Sequence, residues 1–422
     1  MTCFALVDCN NFYASCEKLF RPDLKHTPVV VLSNNDGCVV ARSKEVKLLG
    51  IKMGVPFFKL QDEVARYGIV AFSSNYALYA DISNRVMTTL EELSPKLEIY
   101  SIDEAFLDLT GVNHCCELTA FGQQIRKIIY QWIGISVGVG IAPTKTLAKL
   151  ANHAAKTYPA TQGVVDLTDP ARQRKLMAIT PVDEVWGVGR KLSQHLKAIG
   201  IDTALQLANV EPAWIKKQFN VVLERTVREL NGQSCLKLED VTPVKKQIIS
   251  SRSFGERIMD KQTMSEAIAS YASRATEKLR QQKQYACSLS VFIRTNPFSE
   301  NESYYSNHAT YQFPIPTDDT RDMLGQAKVL LDMIWRQGYR YMKGGVMLND
   351  FYDAGVYQPD LFCEQSIKTN SKALMRVLDK INHSGKGKVW FAGEGITKFW
   401  GMKREHLSPA YTTNWKELPV VK

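Results

Sequence analysis

The segment Tyr100-Ser101-Ile102-Asp103-Glu104-Ala105-Phe106-Leu107-Asp108-Leu109 carries the pattern that decides the fold. Most of its residues are apolar, β-branched or aromatic, which is typical of a strand or a hairpin. Two adjacent acids, Asp103 and Glu104, stand in its middle. Two ionised carboxylates in a half-buried strand repel each other and lose hydration, so they require a positive charge nearby. A divalent cation would supply that charge, whereas a solvated turn at the strand end would remove the need for it.

A third acid, Asp8, ends the apolar run Phe4–Val7. Three carboxylates on strand ends form a suitable cradle for two magnesium ions, and two such ions suit phosphoryl transfer. If Asp8 is considered without the other two acids, an N-cap of the helix that follows is its more frequent role. Tyr13 lies five residues further on, where its ring is either ordinary core or the floor of a pocket beside the carboxylates.

The order of the predicted elements indicates an α+β protein. Residues 1–165 are predicted to form the succession strand-helix-strand-strand-helix-strand, which is the ferredoxin-like layout. This layout brings Asp8 and the pair Asp103-Glu104 to neighbouring central strands. Further along, we predict a helical region, a polar linker and a second copy of the same succession, at residues 166–232, 233–246 and from 247 onward.

The composition limits the number of domains, the type of partner and the cellular compartment that we expect. The chain has 422 residues, enough for two to four domains with their own cores. Its net charge is +10, most of it carried by residues 243–422, and such a surplus suits a polyanionic partner. The nine cysteines are scattered without metal-ligand spacing, no secretory signal precedes the first strand, and no apolar run approaches membrane length. We therefore expect a reduced, cytosolic protein without a membrane partner.

A lysine stripe follows the strand that ends near residue 142. On the predicted helix 144–156, Lys145, Lys149 and Lys156 fall within about 40° of one another. Such a stripe is usually a solvated face. Residues 118–165 contain no acid at all, however, and a stripe without compensating acids is better explained by the phosphates of a nucleic acid.

Two other basic segments have the same ambiguity. Lys44 and Lys47 share one face of a predicted helix, which is either solvated or a clamp for a triphosphate. The turn Gly187-Val188-Gly189-Arg190 separates two predicted helices. A Gly-x-Gly turn lets backbone N–H groups approach a phosphate closely, although a plain tight turn has the same sequence.

The C-terminal region contains a candidate docking peptide, Gln358-Pro359-Asp360-Leu361-Phe362. It is either a loop that folds back on its own domain or a peptide whose Leu361 and Phe362 fill a pocket on a partner. The aromatic residues beyond it are too numerous for a disordered tail and indicate a small folded cap or a partner-binding segment: Trp390, Phe391, Phe399, Trp400 and Trp415.

Several segments resemble the motifs of one family, the Y-family translesion DNA polymerases, and above all its UmuC branch. The similarity covers essentially the whole chain, and its clearest segments are Asp8–Glu17, Ser33–Cys38, Phe72–Tyr76, Ser101–Phe106, Thr144–Lys149 and Ser253–Arg257. The resemblance implies a ferredoxin-like palm with small fingers, a thumb with a helix-hairpin-helix, a separate ferredoxin-like βαββαβ little finger and a C-terminal extension. These correspond to residues 1–165 (fingers about 20–75), 166–232, 247–352 and 353–422.

The resemblance also implies a role for each candidate site residue. Asp8, Asp103 and Glu104 would hold two Mg²⁺ ions, with the backbone carbonyl of Cys9 completing a site. Tyr13 would be the steric gate, whose ring crowds a ribose 2′-hydroxyl. The triphosphate would be contacted by Lys44, Lys47 and Lys156, the DNA by Lys145, Lys149, Gly187, Gly189 and Arg190, and a sliding clamp by Gln358, Leu361 and Phe362.

The implied function is error-prone translesion synthesis within the SOS response, by template-directed transfer of a nucleotide from a dNTP to a primer 3′-hydroxyl. Primer-template DNA, dNTPs, a UmuD′ homodimer, RecA and the β sliding clamp would be the partners, in the cytoplasm and at the nucleoid when engaged. Two alternatives stay open from the residues alone. One is a non-catalytic DNA-binding repair scaffold, and the other is a nucleotide cyclase built on the same split βαβ palm.

Overall fold

The computed structural model describes residues 2–239, 244–353, 356 and 370–418, and it divides the chain into two compact units. Unit 1 comprises residues 1–33, 37–242 and 406–422, and unit 2 comprises residues 34–36 and 243–405. The division after residue 242 falls inside the predicted linker. The candidate clamp peptide, with Gln358, Leu361 and Phe362, lies outside the described residues.

Residues 2–166 contain both strands and helices. The elements are β1 (Phe4–Cys9), α1 (Phe12–Leu19), β2 (Val29–Leu32), β3 (Val39–Arg42), α2 (Lys44–Leu48), α3 (Gln61–Tyr67), β4 (Val70–Ser73), α4 (Tyr76–Leu93), β5 (Leu97–Ile99), β6 (Glu104–Asp108), α5 (Leu118–Ile133), β7 (Val137–Ala142), α6 (Lys145–Thr157) and β8 (Val164–Asp166). They form a sheet of order β5-β6-β1-β7-β8 and a smaller sheet of order β3-β2-β4. The first sheet contains the predicted ferredoxin-like order, because β1 lies antiparallel between β6 and β7.

Strand β1 is buried along its whole length because both faces of its sheet are covered. Side chains alternate between the two faces of a strand. Ala5, Val7 and Cys9 join the core that includes α4 and α5, whereas Phe4 and Leu6 join the core that includes α6. Asp8 follows Phe4 and Leu6 in this alternation, so its side chain lies on the same side of the sheet as α6.

Helix α6 packs unusually close to β7. A Cβ atom at Gly140 would lie 2.2 Å from the backbone nitrogen of Asn152, so only glycine permits this approach. The Asn152 side-chain amide donates to the carbonyl oxygen of Gly138 at 2.8 Å. The lysine-bearing side of α6 is thereby brought close to Asp8, near the end of β1.

The region after β8 is helical, as predicted, with α7 (Pro170–Ile179), α8 (Arg190–Ala198), α9 (Ala204–Ala208), α10 (Pro212–Gln218) and α11 (Val221–Leu230). The fully buried Glu229 joins this region to α6. Its carboxylate accepts hydrogen bonds from the backbone nitrogen of Thr146 and from that of Cys235, both at 2.9 Å. One acid thus satisfies a free donor at the start of α6 and fixes the chain that leaves α11.

Unit 2 has the predicted βαββαβ succession, with β9 (Ile248–Ile258), α12 (Lys261–Gln281), β10 (Gln284–Arg294), β11 (Ser306–Thr317), α13 (Thr320–Ile334) and β12 (Tyr341–Asp353). Its sheet has the order β11-β10-β12-β9, with every neighbouring pair antiparallel. The order differs from that of the first sheet: in unit 2 the first strand lies at an edge, whereas β1 is central.

The C-terminal extension does not behave as one body in the described residues. Helix α14 (Ser371–His383) and the chain up to residue 405 belong to unit 2, whereas the chain from His406 returns to unit 1. In the part of the chain that the structure describes, no helix combines the length and apolarity that crossing a bilayer requires.

Candidate active site

Asp8 and Glu104 are direct partners across the first sheet. Asp8 of β1 is in register with Glu104 of β6, and the nearby Glu104 carboxyl group helps to raise the pKa of Asp8. The backbone nitrogen of Cys9 donates to the carbonyl oxygen of Asp103 at 2.9 Å, which continues the pairing past the start of β6. The prediction that tertiary structure joins the distant acids at positions 8 and 104 is therefore confirmed.

Each lysine of the predicted stripe has a carboxylate partner. Lys156 Nζ lies 2.5 Å from Asp8 Oδ1, Lys149 Nζ lies 2.8 Å from Glu104 Oε2, and Lys145 Nζ lies 2.5 Å from Glu98 Oε2. The inference that this stripe lacks compensating acids is wrong, because the acids come from β1, β6 and β5, which lie far away along the chain.

This pairing changes the interpretation of Lys145 and Lys149. Lys145 is only 4% exposed, and its ammonium group lies 5.0 Å from the centroid of the Phe106 ring. Lys149 lies over the rings of Tyr100 and Trp186, at 4.3 and 5.3 Å. A buried lysine with both an acid and an aromatic ring as partners stabilises the fold, so this arrangement does not support the prediction that Lys145 contacts DNA.

The protonation of the Asp8–Glu104 pair follows from its surroundings. Burial raises the pKa of Asp8 to about 7; the Lys156 ammonium group opposes the rise, and Glu104 adds to it. Burial also disfavours the charged form of Glu104, but its hydrogen bonds with Asp8 and Lys149 outweigh this effect and lower its pKa.

A divalent cation fits this arrangement. Two carboxyl groups in contact need either a proton or a positive charge between them, and oxygen ligands of this kind are those that Mg²⁺ prefers. Within residues 2–239, 244–353, 356 and 370–418, however, no three acidic, histidine or cysteine side chains are already arranged as a metal-binding cluster. The Asp103 carboxylate instead accepts a hydrogen bond from the Ser101 hydroxyl at 2.6 Å.

A cavity of about 360 Å³ opens beside the acids. Three of the four predicted ligand residues, Asp8, Cys9 and Asp103, line it, whereas Glu104 is not among the lining residues. Cationic and uncharged side chains form the rest of the lining. The complete set of lining residues is Asp8, Cys9, Asn11, Phe12, Tyr13, Val40, Ala41, Arg42, Lys47, Met53, Ile102, Asp103 and Lys156.

Tyr13 lies in the wall of this cavity, so the pocket alternative describes its position better than the core alternative. Its ring stacks on that of Tyr79, with centroids 4.4 Å apart and planes inclined by 15°. Tyr76 contacts the Tyr13 ring edge-on at 6.3 Å. The ring of Tyr13 is thus supported from α4 while one side stays open to the cavity.

The cavity contains three cations, of which the sequence analysis singled out two. Lys47 and Lys156 line it as predicted, whereas the exposed Lys44 is not among the lining residues. Arg42, at the end of β3, was missed as a site residue. Burial lowers the pKa of Lys47, and the charges of Arg42 and Lys156 add to this effect. Three cations around one cavity favour a polyanionic ligand.

One feature of the sequence could have identified Arg42 as a site residue: it directly follows the apolar strand residues 39–41 and lies two positions before Lys44. The strand period could not show which side it faces, because β3 pairs irregularly with β2 near Leu32. The Arg42 guanidinium donates to the carbonyl oxygen of Ile51, which holds the arginine in place at the cavity.

The predicted phosphate-binding turn lies in the helical region. Gly187 has a φ of +90°, which favours glycine, and Gly189 is the N-cap of α8, which begins at Arg190. All three residues are exposed. The geometry leaves the first backbone N–H groups of α8 open to solvent, and their role in DNA binding stays a prediction.

Comparison with known proteins agrees with the fold and the site. Residues 7–153 match the impB/mucB/samB family, residues 245–361 match the impB/mucB/samB family C-terminal domain, and residues 372–421 match a domain of unknown function, DUF4113. Protein ImpB of Salmonella typhimurium is 56% identical over 421 residues, which is 99% of each chain. Protein UmuC of Salmonella typhimurium strain LT2 is also 56% identical, over 99% of this chain and 100% of its own. A DNA polymerase IV of Dehalococcoides mccartyi is 30% identical over 69% of this chain and 74% of its own.

Solved structures share the fold. A Y-family DNA polymerase chimera of Dbh and Dpo4 matches 83% of this chain and 99% of its own, with a TM-score of 0.68 and 21% identity. The insertion ternary complex of Dbh DNA polymerase covers the same shares, with a TM-score of 0.54 and 21% identity.

Fold and relatives together define the class of the protein, a DNA polymerase of the Y family. Within that class the chain belongs to the impB/mucB/samB family and to its UmuC branch, since proteins ImpB and UmuC are 56% identical to it over 99% of its length. The nucleotide cyclase alternative is therefore wrong.

Proposed function

We propose that this chain performs error-prone translesion synthesis in the SOS response, by template-directed nucleotidyl transfer that depends on two Mg²⁺ ions. The observation that supports the proposal is one cavity that is lined by carboxylates, by three cations and by the ring of Tyr13. A nucleoside triphosphate with its divalent cations has the complementary pattern of charges. Its sugar would lie against the ring.

Asp8, Asp103, Glu104 and the Cys9 carbonyl would hold the ions. When bound, the ions would supply activation of the primer 3′-hydroxyl and neutralisation of the leaving pyrophosphate. Asp103 already lines the cavity, and the Ser101 hydroxyl donates to its Oδ1 atom at 2.6 Å.

The cavity cations would bind and orient the triphosphate. Lys156 is held by Asp8 at 2.5 Å and becomes free for phosphate once Asp8 serves a metal ion. Lys47 and Arg42 face the same space. Tyr13 would exclude ribonucleotides, because its ring is fixed by the stack on Tyr79 and cannot make room for a 2′-hydroxyl.

The remaining partners are proposed from the family. Primer-template DNA would contact the exposed turn at Gly187, Gly189 and Arg190, and a β sliding clamp would bind the peptide containing Leu361 and Phe362. A UmuD′ homodimer and RecA would complete the active assembly, in the cytoplasm and at the nucleoid when engaged.

The experiment is extension of a primed template that carries an abasic site, with and without Mg²⁺, clamp and activated RecA. Asp103→Asn should abolish extension while the affinity for primer-template DNA survives, because the amide keeps the shape of the turn but loses the ligand charge. Asp62→Asn, an exposed acid on α3, is the matched control and should extend normally. Full extension by Asp103→Asn would remove the metal assignment, and DNA binding by the wild type without any extension would favour the scaffold alternative.

A further inference from the structure

The support of Tyr13 continues behind Tyr79 into a buried polar chain. The Tyr79 hydroxyl donates to Glu17 Oε1 at 2.6 Å, and both side chains are completely buried. Glu17 lies four residues after Tyr13 on α1, so the two residues are on the same face of that helix. Tyr79 is therefore held at its ring by Tyr13 and at its hydroxyl by Glu17.

Helix α4, which carries Tyr79, is fixed at its start by the C-terminal segment. Asn75 caps the helix, since its Oδ1 accepts from the backbone nitrogen of Leu78 at 3.2 Å. Its amide nitrogen lies 3.0 Å from the Ser408 hydroxyl oxygen and 3.1 Å from the Ser408 carbonyl oxygen. Both Asn75 and Ser408 are buried, so these bonds are shielded from water.

The same segment is attached at two further points. The backbone nitrogen of Ser73 donates to the carbonyl oxygen of His406 at 2.9 Å, and His406 returns a bond to the Ser73 hydroxyl at 3.0 Å. The Tyr411 ring stacks on Phe20, directly after α1, with centroids 4.7 Å apart. Residues 406–411 thus contact the ends of both helices that hold the Tyr13–Tyr79 stack.

Glu17 lies within the same buried region, and its Oε2 atom has no hydrogen-bond partner in the described residues. Burial raises its pKa to about 7, while the Tyr79 hydroxyl opposes that rise because it stabilises the carboxylate. Burying an acid without a metal or a basic partner is unfavourable, and such groups are retained where they fix a particular geometry. Here the geometry they fix is the position of the Tyr79 ring.

We propose that the C-terminal segment 406–411, through Asn75 and the Glu17–Tyr79 hydrogen bond, holds the Tyr13 ring in place and so sets the selectivity for deoxyribonucleotides over ribonucleotides. The proposal rests on the proposed role of Tyr13 as a steric gate. A gate that works by a clash discriminates only if its ring cannot recede, and the Tyr79 ring prevents that movement. This assigns a positioning role to the end of the domain of unknown function.

The test measures single-nucleotide insertion of a dNTP and the matching rNTP opposite one template base, with the full-length chain. Tyr79→Phe keeps the stacked ring and removes only the hydroxyl, and Ser408→Ala removes one partner of Asn75. Each should lower the ratio of kcat/KM for the dNTP to kcat/KM for the rNTP by roughly three- to tenfold. This is the effect of one buried hydrogen bond. Glu17→Ala should do the same, whereas Glu17→Gln keeps an acceptor for Tyr79 and should stay within about twofold of the wild type.

Matched controls are Tyr130→Phe on α5 and Ser384→Ala after α14, both at exposed positions. Tyr13→Ala distinguishes the steric-gate role of Tyr13 from the positioning role of residues 406–411. If it fails to raise ribonucleotide insertion, the gate itself is wrong and the proposed function of Tyr13 fails. If it raises insertion but Tyr79→Phe and Ser408→Ala keep the wild-type ratio, only the positioning role is overturned.

A purely structural role would lower dNTP and rNTP insertion equally, which would also overturn the proposal. The melting temperature of each variant is measured alongside. Tyr79→Phe decides the question should Ser408→Ala not fold, because it deletes a single oxygen atom inside an intact stack.

Discussion

Lys156 of α6 and Asp8 of β1 form an ion pair, with the ammonium nitrogen 2.5 Å from a carboxylate oxygen at the edge of the active-site cavity. The pair joins a proposed triphosphate contact to a proposed metal ligand. Each partner therefore neutralises the other.

Lys156→Gln should weaken the use of every incoming dNTP. Removing a charged contact with phosphate corresponds to about 1.5–3 kcal/mol, so kcat/KM should fall roughly 10- to 100-fold. The measurement is single-nucleotide insertion on an undamaged template, with Lys197→Gln as the control because Lys197 forms an ion pair with Asp183 elsewhere in the helical region. Unchanged dNTP kinetics would exclude Lys156 from the triphosphate site.

Binding of Mg²⁺ should strengthen between pH 6 and pH 8. A metal ligand must be deprotonated, and Asp8, with its pKa raised to about 7, loses its proton in this range. Below that pKa the apparent affinity should rise by up to about tenfold per pH unit and then level off. Titration of the Mg²⁺-induced shift in melting temperature at several pH values measures this. A shift that is independent of pH, or that survives in Asp8→Asn, would contradict the assignment.

Glu17→Gln should become more stable relative to the wild type as the pH rises. The folded-state pKa of Glu17 is raised from 4.5 to about 7, so its contribution to stability is fully present below about pH 4.5 and is lost as the pH rises through about 7. The neutral amide has no such loss, and the difference in unfolding free energy should grow by on the order of 2–3 kcal/mol between pH 4.5 and 8. Urea unfolding at both pH values tests this, with the exposed Glu91→Gln on α4 as the control.

Lys145→Met should reduce stability rather than DNA affinity. Its side chain and that of Glu98 are 5% and 11% exposed, and removing one partner of a buried pair typically destabilises a protein by about 3–5 kcal/mol. Adding Glu98→Gln should recover part of this loss, because the unpaired charge is then gone. Loss of DNA affinity by a variant that remains folded would return Lys145 to the DNA-binding surface.

Much of the site could be predicted from local patterns. The apolar run before Asp8 and the segment around Asp103-Glu104 indicated neighbouring strands, and the register of Asp8 with Glu104 confirms this. The period of α6 placed its lysines on one side. These inferences succeeded because strand alternation and helical period depend only on residues close together in the chain.

Other features could not be predicted because they depend on distances in space. The acids that pair with the α6 lysines lie between 45 and 148 residues away in the chain. No local count of charges reveals them. Arg42 was overlooked for the same reason, since only the fold brings it to a cavity that residues of β1 and α6 also line.

The sequence by itself determined the class of the protein, the strands and helices that carry the acids and lysines, and the position of Tyr13 one turn beyond the first strand. The tertiary structure alone decided which lysine pairs with which acid, that Asp103 points to Ser101, and that residues 406–411 return to hold α4 above Tyr13. The reason is that periodicity is a property of consecutive residues, whereas electrostatic and packing energies depend on separations that exist only after the chain has folded.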